Sequence, residues 1–260
     1  MEPDYFNRFE HLKLSRTPDG ILEVRFATND GPIVFTGKDH HDFVEAFSHI
    51  AQDRDNKVVI ITGTGDEWMA QIDGPSLGDF SNPWEFNRTW WEGQAVLQNL
   101  CSIGCPVIAA INGPASVHTE YALTADIIIA SENAYFQDYP HLTFGVVPGD
   151  GIHTAWTMAI GDRRARHFLL TMEKIGAQEA KNLGVVAQVL PDATALMSRA
   201  YEVAGKLLKI PELTRRFMRT MFTLELRRKL LDHVGYGLAM EGASAAALKV
   251  AAQEKKPVKA

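Results

Sequence analysis

Lys57-Val-Val-Ile-Ile-Thr-Gly-Thr-Gly65 is the stretch on which the fold turns. An unbroken apolar, β-branched run this short is a strand buried on both faces, and the glycines that follow mark the chain leaving a sheet. Pro106-Val-Ile-Ala-Ala-Ile111 and Asp126-Ile-Ile-Ile-Ala130 repeat the signal. Before the first of these, Phe43, Val44, Phe47 and Ile50 fall at helical spacing within 41–54, and between the first and the second a helix is predicted over 90–100. Strands and helices alternate in this way through Val189, which predicts an α/β fold with a largely parallel sheet wound inside helices. Towards the N-terminus, His11–Arg16 and Ile21–Ala27 flank a Thr-Pro-Asp-Gly turn and read as a hairpin. Beyond Pro191 the strand signals stop. Helices are predicted over 193–209, 212–228 and 235–253, dividing the chain into a core (1–191) and a C-terminal helical region (192–260). The charged tail from Glu254 is expected to fray.

Composition narrows the function. The chain has 260 residues, 46% hydrophobic and 22% charged, ample for a sizeable core. A net charge of −6, with no basic run interleaved with aromatics, argues against a nucleic-acid partner, and no uncharged apolar run approaches membrane-spanning length. Cys101 and Cys105 are too few for a disulfide framework and read as small buried residues. With no basic, apolar leader at the N-terminus, a cytoplasmic location is expected. Neither His-x-x-x-His nor a clustered ligand spacing appears, so no metal is expected.

The chemistry concentrates in Phe136-Gln-Asp-Tyr-Pro-His-Leu-Thr-Phe-Gly-Val-Val-Pro-Gly-Asp-Gly151. His141 follows a proline, and Asp150 sits in a Pro-Gly-Asp-Gly turn. A second histidine, His118, follows Asn112-Gly-Pro-Ala. A histidine with a carboxylate to orient it is standard equipment for deprotonating water near neutral pH.

Taken in order, these segments, together with Gly145–Gly151 and Ala177-Gln-Glu-Ala-Lys-Asn-Leu-Gly-Val-Val186, resemble the crotonase (enoyl-CoA hydratase/isomerase) superfamily. The resemblance implies a ClpP/crotonase-like spiral of ββα turns with a C-terminal helical extension that mediates oligomerisation, assembled as trimers or dimers of trimers. It also implies an oxyanion hole of two backbone N–H groups that stabilises an enolate. The first donor falls in Trp68-Met-Ala-Gln-Ile-Asp73, at Ile72, with Trp68 beside it as a substrate contact. At the second, the family's glycine run is replaced by Val117-His118-Thr119, which narrows the approach of a thioester and offers a side-chain donor.

The hydratase glutamates are also missing. The first aligns with Tyr121, one residue from Glu120, and the second with His141. This substituted pattern is similar to that of the superfamily's β-diketone hydrolases, which cleave a carbon–carbon bond without coenzyme A. That likeness implies a His141–Asp150 pair activating water, His118 as enolate stabiliser and Glu241 positioning His118 or the substrate. It places Phe35 where a tryptophan would contact the substrate carbonyl. No cofactor is then needed, because the second carbonyl serves as electron sink.

Plainer roles compete. His141 could be a satisfied structural histidine, Asp150 a turn residue, His118 a helix cap, and Glu241 a surface carboxylate. Trp84, Phe86, Trp90 and Trp91 suit core packing as well as a substrate wall, and His40 has no evident partner. The expected activity is hydrolysis of a cyclic or bicyclic β-diketone. The alternatives are a CoA-dependent hydratase or isomerase using Glu120 or His141, and a non-catalytic assembly protein. Against CoA, Thr28-Asn-Asp-Gly-Pro32 lacks the family's Asn-Arg-Pro signature and sets Asp30 towards anionic phosphates.

Overall fold

The computed structural model describes residues 3–254; the remainder of the charged tail, 255–260, lies outside them. Its frame is a six-stranded sheet. In spatial order the strands are Leu12–Arg16, Ile21–Phe26, Val58–Thr62, Val107–Ile111, Ile127–Ser131 and Gln188–Leu190. The first pair is the expected antiparallel hairpin, and every other neighbouring pair is parallel.

Each central strand is buried along its length because both faces are covered. Val59, Ile61, Val107 and Ala109 join the main core with Phe43 and Phe47 of the Gly37–Gln52 helix and Val96 and Leu97 of the Pro83–Ser102 helix. Val58, Ile60, Ile108 and Ala110 pack instead on Leu196, Ala200 and Ala204 of the Ala193–Leu208 helix. The period-two alternation of a strand thus feeds two cores from one apolar run.

Both core helices begin earlier than expected. Thr36 and Asp39 form a reciprocal capping box that starts the first. At the second, Asn82 accepts from the Trp84 amide and Pro83 occupies the first turn.

The C-terminal region differs more. The separate helices expected over 212–228 and 235–253 are one helix, Glu212–Glu254. The gap expected at 229–234 is helical, and Gly235 and Gly237 just beyond it serve close packing. A Cβ on Gly237 would meet the Gly149 carbonyl oxygen at 2.3 Å, and one on Gly149 would meet the Gly237 oxygen at 2.2 Å. Only paired glycines allow the two backbones to approach so closely. The Trp90 indole N–H also donates to the Gly235 carbonyl at 2.9 Å, tying this helix to Pro83–Ser102. The approach at Gly149 matters most, because Asp150 is the next residue and Glu241 lies one turn beyond Gly237. No helix of the described residues is long and apolar enough to cross a membrane.

Candidate active site

The site forms where the central strands end and their loops cross. Asn112 organises the crossing: its Oδ1 accepts from the Gly63 amide at 3.0 Å, and its Nδ2 donates to the Gly65 and Glu67 carbonyls. Gly113 must be glycine, since a Cβ there would lie 1.6 Å from the Asp66 carbonyl oxygen. The chain then runs beside its neighbours. The Ser116 amide donates to Met69 O, Ala115 N to Tyr135 O, and Tyr139 N to Ser116 O. This small web lays the segment before His118 against the segment before His141.

His118 adopts a left-handed conformation (φ 48°), an uncommon and mildly costly state for a residue with a Cβ. It precedes the short Thr119–Leu123 helix but makes no side-chain cap, so the capping role is excluded. Its ring stacks on Tyr121 at 4.8 Å and meets Phe35 at 4.5 Å and His40 at 5.3 Å. Nδ1 lies 2.8 Å from Glu120 Oε1 and 3.2 Å from Asp150 Oδ2.

His141 sits in the first turn of the Pro140–Phe144 helix. Its Nδ1 is 2.8 Å from Asp138 Oδ1, while Nε2 is 3.6 Å from Asp150 Oδ2 and 3.9 Å from Glu241 Oε2. Asp150 therefore does not hold the orienting nitrogen of His141, as the spacing suggested. It lies at the opposite nitrogen, between the two imidazoles, because its Oδ1 is turned back to accept from the Ile152 amide. The nitrogen expected to meet Asp150 is taken by Asp138, three residues before the histidine.

These groups line a cavity of about 600 Å³. His40, His118, His141, Asp150 and Glu241 make its polar end; Ile72, Leu77, Val117, Phe144, Val146 and Leu248 contribute apolar wall. Asp79 and Lys249, paired at 2.7 Å, also border it.

Expected substrate contacts at Phe35 and Trp68 are not found. Both are fully buried and neither lines the cavity. Phe35 packs edge-on to Phe43 behind His118, and Trp68 packs edge-on to Phe26, because both belong to the aromatic core under the sheet's edge. Ile72 does border the cavity. In the parallel pair Phe35↔Ile72 the Asp73 amide donates to Phe35 O at 2.8 Å, which turns the Ile72 N–H away from that ladder. Trp84 and Trp91 are exposed, and the aromatic group of 84–91 does not line the cavity.

The electrostatics follow from burial. For His118, desolvation opposes charge, but Glu120 and Asp150 outweigh it and raise the ring to about 10. For His141, the same opposition is overcome by Asp150 and Asp138, which hold its pKa well above the ordinary imidazole range. Burial would raise Asp150, yet His141 and the hydrogen bond from His118 keep it well below the usual carboxylate range. Burial pushes Glu120 up to about 7 and Glu241 up to about 8, each aided by the Asp150 charge. His40 falls to about 3 through burial and the neighbouring His118 charge. Asp150 is thus the fixed anion around which the other groups share protons.

Sequence reasoning missed Asp138, Glu120 as a partner of His118, and His40. Asp138 precedes His141 by three residues, a separation at which side chains meet on one helical turn. That signal could have been read. His40 carried none, because it enters the site from a distant helix. His118, Glu120 and Asp150 converge closely enough to hold a cation, and here His118 Nδ1 contacts both carboxylates directly.

With this geometry established, the chain's relatives can be placed. The Enoyl-CoA hydratase/isomerase family profile matches residues 16–245, and the chain belongs to that family. Among solved structures, a β-diketone hydrolase from the cyanobacterium Anabaena, bound to (S)-3-oxocyclohexyl acetic acid, is 54% identical with a TM-score of 0.94. That likeness covers 95% of this chain and 99% of the other. An enoyl-CoA hydratase/isomerase from Mycobacterium paratuberculosis is 25% identical with a TM-score of 0.84, covering 92% and 95%. A probable peroxisomal enoyl-CoA hydratase from Arabidopsis thaliana is 33% identical over 174 residues, 65% of this chain and 62% of that protein. The chain thus spans less than two thirds of that relative's length.

Proposed function

We propose that this enzyme hydrolyses a carbon–carbon bond in a cyclic or bicyclic β-diketone, without coenzyme A, to give a keto acid. The observation that carries the reading is the pair of imidazoles on either side of Asp150, at the polar end of an otherwise apolar cavity. A retro-Claisen cleavage needs a base for water and a cation or donor for the departing enolate, and the two rings suit these two tasks. The likeness to a β-diketone hydrolase over nearly the whole chain supports it.

In this reading His141, having lost one proton, takes a proton from water through Nε2, which faces the cavity end near Asp150 and Glu241. The hydroxide adds to one carbonyl. The bond to the central carbon breaks, and its electrons pass into the second carbonyl as an enolate. His118, cationic through Glu120 and Asp150, donates to that oxygen from the nitrogen its carboxylates leave free. The Ile72 amide is a second candidate donor. Glu241, neutral near pH 7, can return a proton to the enolate carbon or hold the water. The cavity's own residues supply each step, so no cofactor enters.

The hydratase alternative requires two carboxylates acting on a thioester. Here Glu120 is engaged by His118 and does not line the cavity. Incubation with a panel of cyclic 1,3-diketones, followed by loss of enol(ate) ultraviolet absorbance, tests the proposal beside a crotonyl-CoA hydration assay. Diketone cleavage with an idle thioester is expected. Thioester turnover without diketone cleavage would overturn the reading.

A further inference from the structure

Asp138 is a buried carboxylate with a single hydrogen-bond partner among the described residues. It is 1% exposed, its Oδ1 lies 2.8 Å from His141 Nδ1, and its Oδ2 has no partner. It does not cap the Pro140–Phe144 helix, which has no side-chain cap. A carboxylate removed from water is costly unless paired and hydrogen-bonded. Among the described residues the imidazole is the one compensation, so a purely structural role leaves the burial unexplained. Asp150 differs in kind: it serves the Ile152 amide, the His118 ring and, at longer range, the far nitrogen of His141.

We propose that Asp138 is the positioning residue of the proposed base, fixing the Nδ1–H tautomer of His141 so that the Nε2 lone pair faces the cavity, while Asp150 serves as the shared counter-charge of the two imidazoles. A carboxylate only accepts hydrogen bonds, so the proton between Asp138 and His141 resides on Nδ1. The neutral ring then carries its lone pair on Nε2, too far from Asp150 (3.6 Å) and Glu241 (3.9 Å) for a direct hydrogen bond and open to the cavity that His141 lines. The backbone holds the arrangement, since Gln137 N and Tyr139 N donate to Ala115 O and Ser116 O on either side of Asp138. One histidine thus has a carboxylate at each nitrogen, one to orient it and one to balance its charge.

The assignment rests on His141 as base, but its test does not depend on turnover. Nitrogen-15 and proton spectra of histidine-labelled protein, with the His141 signals assigned by their loss in His141→Gln, report the tautomer without substrate. Above the pH at which the ring loses its second proton, wild-type His141 should retain a downfield Nδ1–H resonance. Asp138→Asn, whose amide can donate to Nδ1, should lose that resonance and shift the ring towards the Nε2–H form. Asp150→Asn should keep it. On a cleaved diketone, Asp138→Asn should lower kcat by about 10²–10⁴-fold with KM little changed, as expected when the lone pair leaves the reacting side. Neutral wild-type His141 protonated on Nε2 would overturn the assignment even if no variant folds. So would loss of the Nδ1–H resonance in Asp150→Asn with retention in Asp138→Asn. Failure of the diketone assay alone, with the tautomer as described, would instead count against the proposed reaction.

Discussion

At the residue scale, four carboxylates surround two imidazoles in a buried space, and their separate positions decide what each can do. Asp150 stays anionic because both rings and a backbone amide stabilise its charge. Glu120 and Glu241 are raised because burial and that anion both disfavour a second negative charge. The proposed mechanism therefore has a definite pH signature. His141 must be neutral to accept a proton, and its pKa lies above the ordinary 6.5, so kcat/KM should rise with pH through a value above that point. His118 at about 10 must stay protonated, as must Glu241 at about 8 where it returns the proton, so activity should fall again on the alkaline side. The optimum is expected on the alkaline side of neutrality, and a profile already declining between pH 6 and 7 would contradict the assignment. His141→Ala should lower kcat by about 10²–10⁴-fold, the range for a lost general base, and Asp150→Asn should lower it through loss of the shared counter-charge, both with unchanged far-ultraviolet circular dichroism. Full activity in Asp150→Asn would remove it from the mechanism.

At the element scale, the site depends on how closely the Glu212–Glu254 helix meets the Pro148-Gly-Asp turn. The mutual approach of Gly149 and Gly237 brings Asp150 and Glu241 together at the Nε2 edge of His141. Gly237→Ala would push a methyl into the Gly149 carbonyl, where only backbone movement can relieve it. A destabilisation of about 1–3 kcal/mol is expected, typical of overpacking, together with reduced kcat as the two acids separate. Gly205, in the Ala193–Leu208 helix, is the control, because nothing lies within 4 Å of a Cβ there. Gly205→Ala should stabilise by about 0.5–1 kcal/mol and leave turnover unchanged. Urea unfolding of both variants beside steady-state kinetics reads the contrast. Equal effects at the two positions would show that the close approach does not position the acids.

At the scale of the whole molecule, the long helix also carries an unpaired apolar stripe. Leu213, Phe217, Met221, Leu224 and Leu231 recur at helical spacing and are exposed. A stripe of this length is unusual on a monomer surface. It supports the expectation, from the family resemblance, that further copies of this chain are its partners in a homotrimer or dimer of trimers. Sedimentation velocity should then give an assembly larger than a monomer, and Phe217→Asp with Met221→Asp should shift it towards monomer. A wild-type monomer at micromolar concentration would set that expectation aside.

How much was legible follows from which interactions are local. The sheet could be read because apolar runs and glycine exits are properties of consecutive residues: Val58–Thr62 and Val107–Ile111 are strands as the sequence predicts. His118 and His141 could be named because each replaces a residue of the hydratase pattern, and Asp150 and Glu241 because they match the diketone-hydrolase one; all four meet at the cavity's polar end. The sequence did not reveal which nitrogen faces which carboxylate, that Phe35 and Trp68 stand behind the cavity wall, or that 229–234 joins two expected helices into one. Each is a matter of distance between residues far apart in the chain or of a ring's orientation, and both are set by packing. By itself, the sequence determined the fold class and pointed to four of the groups that line the cavity's polar end, because residue type and local periodicity carry them. Only the tertiary structure decided which nitrogen faces which carboxylate. A backbone approach at paired glycines and a carboxylate turned towards an amide fix ångström-scale geometry that no linear pattern encodes.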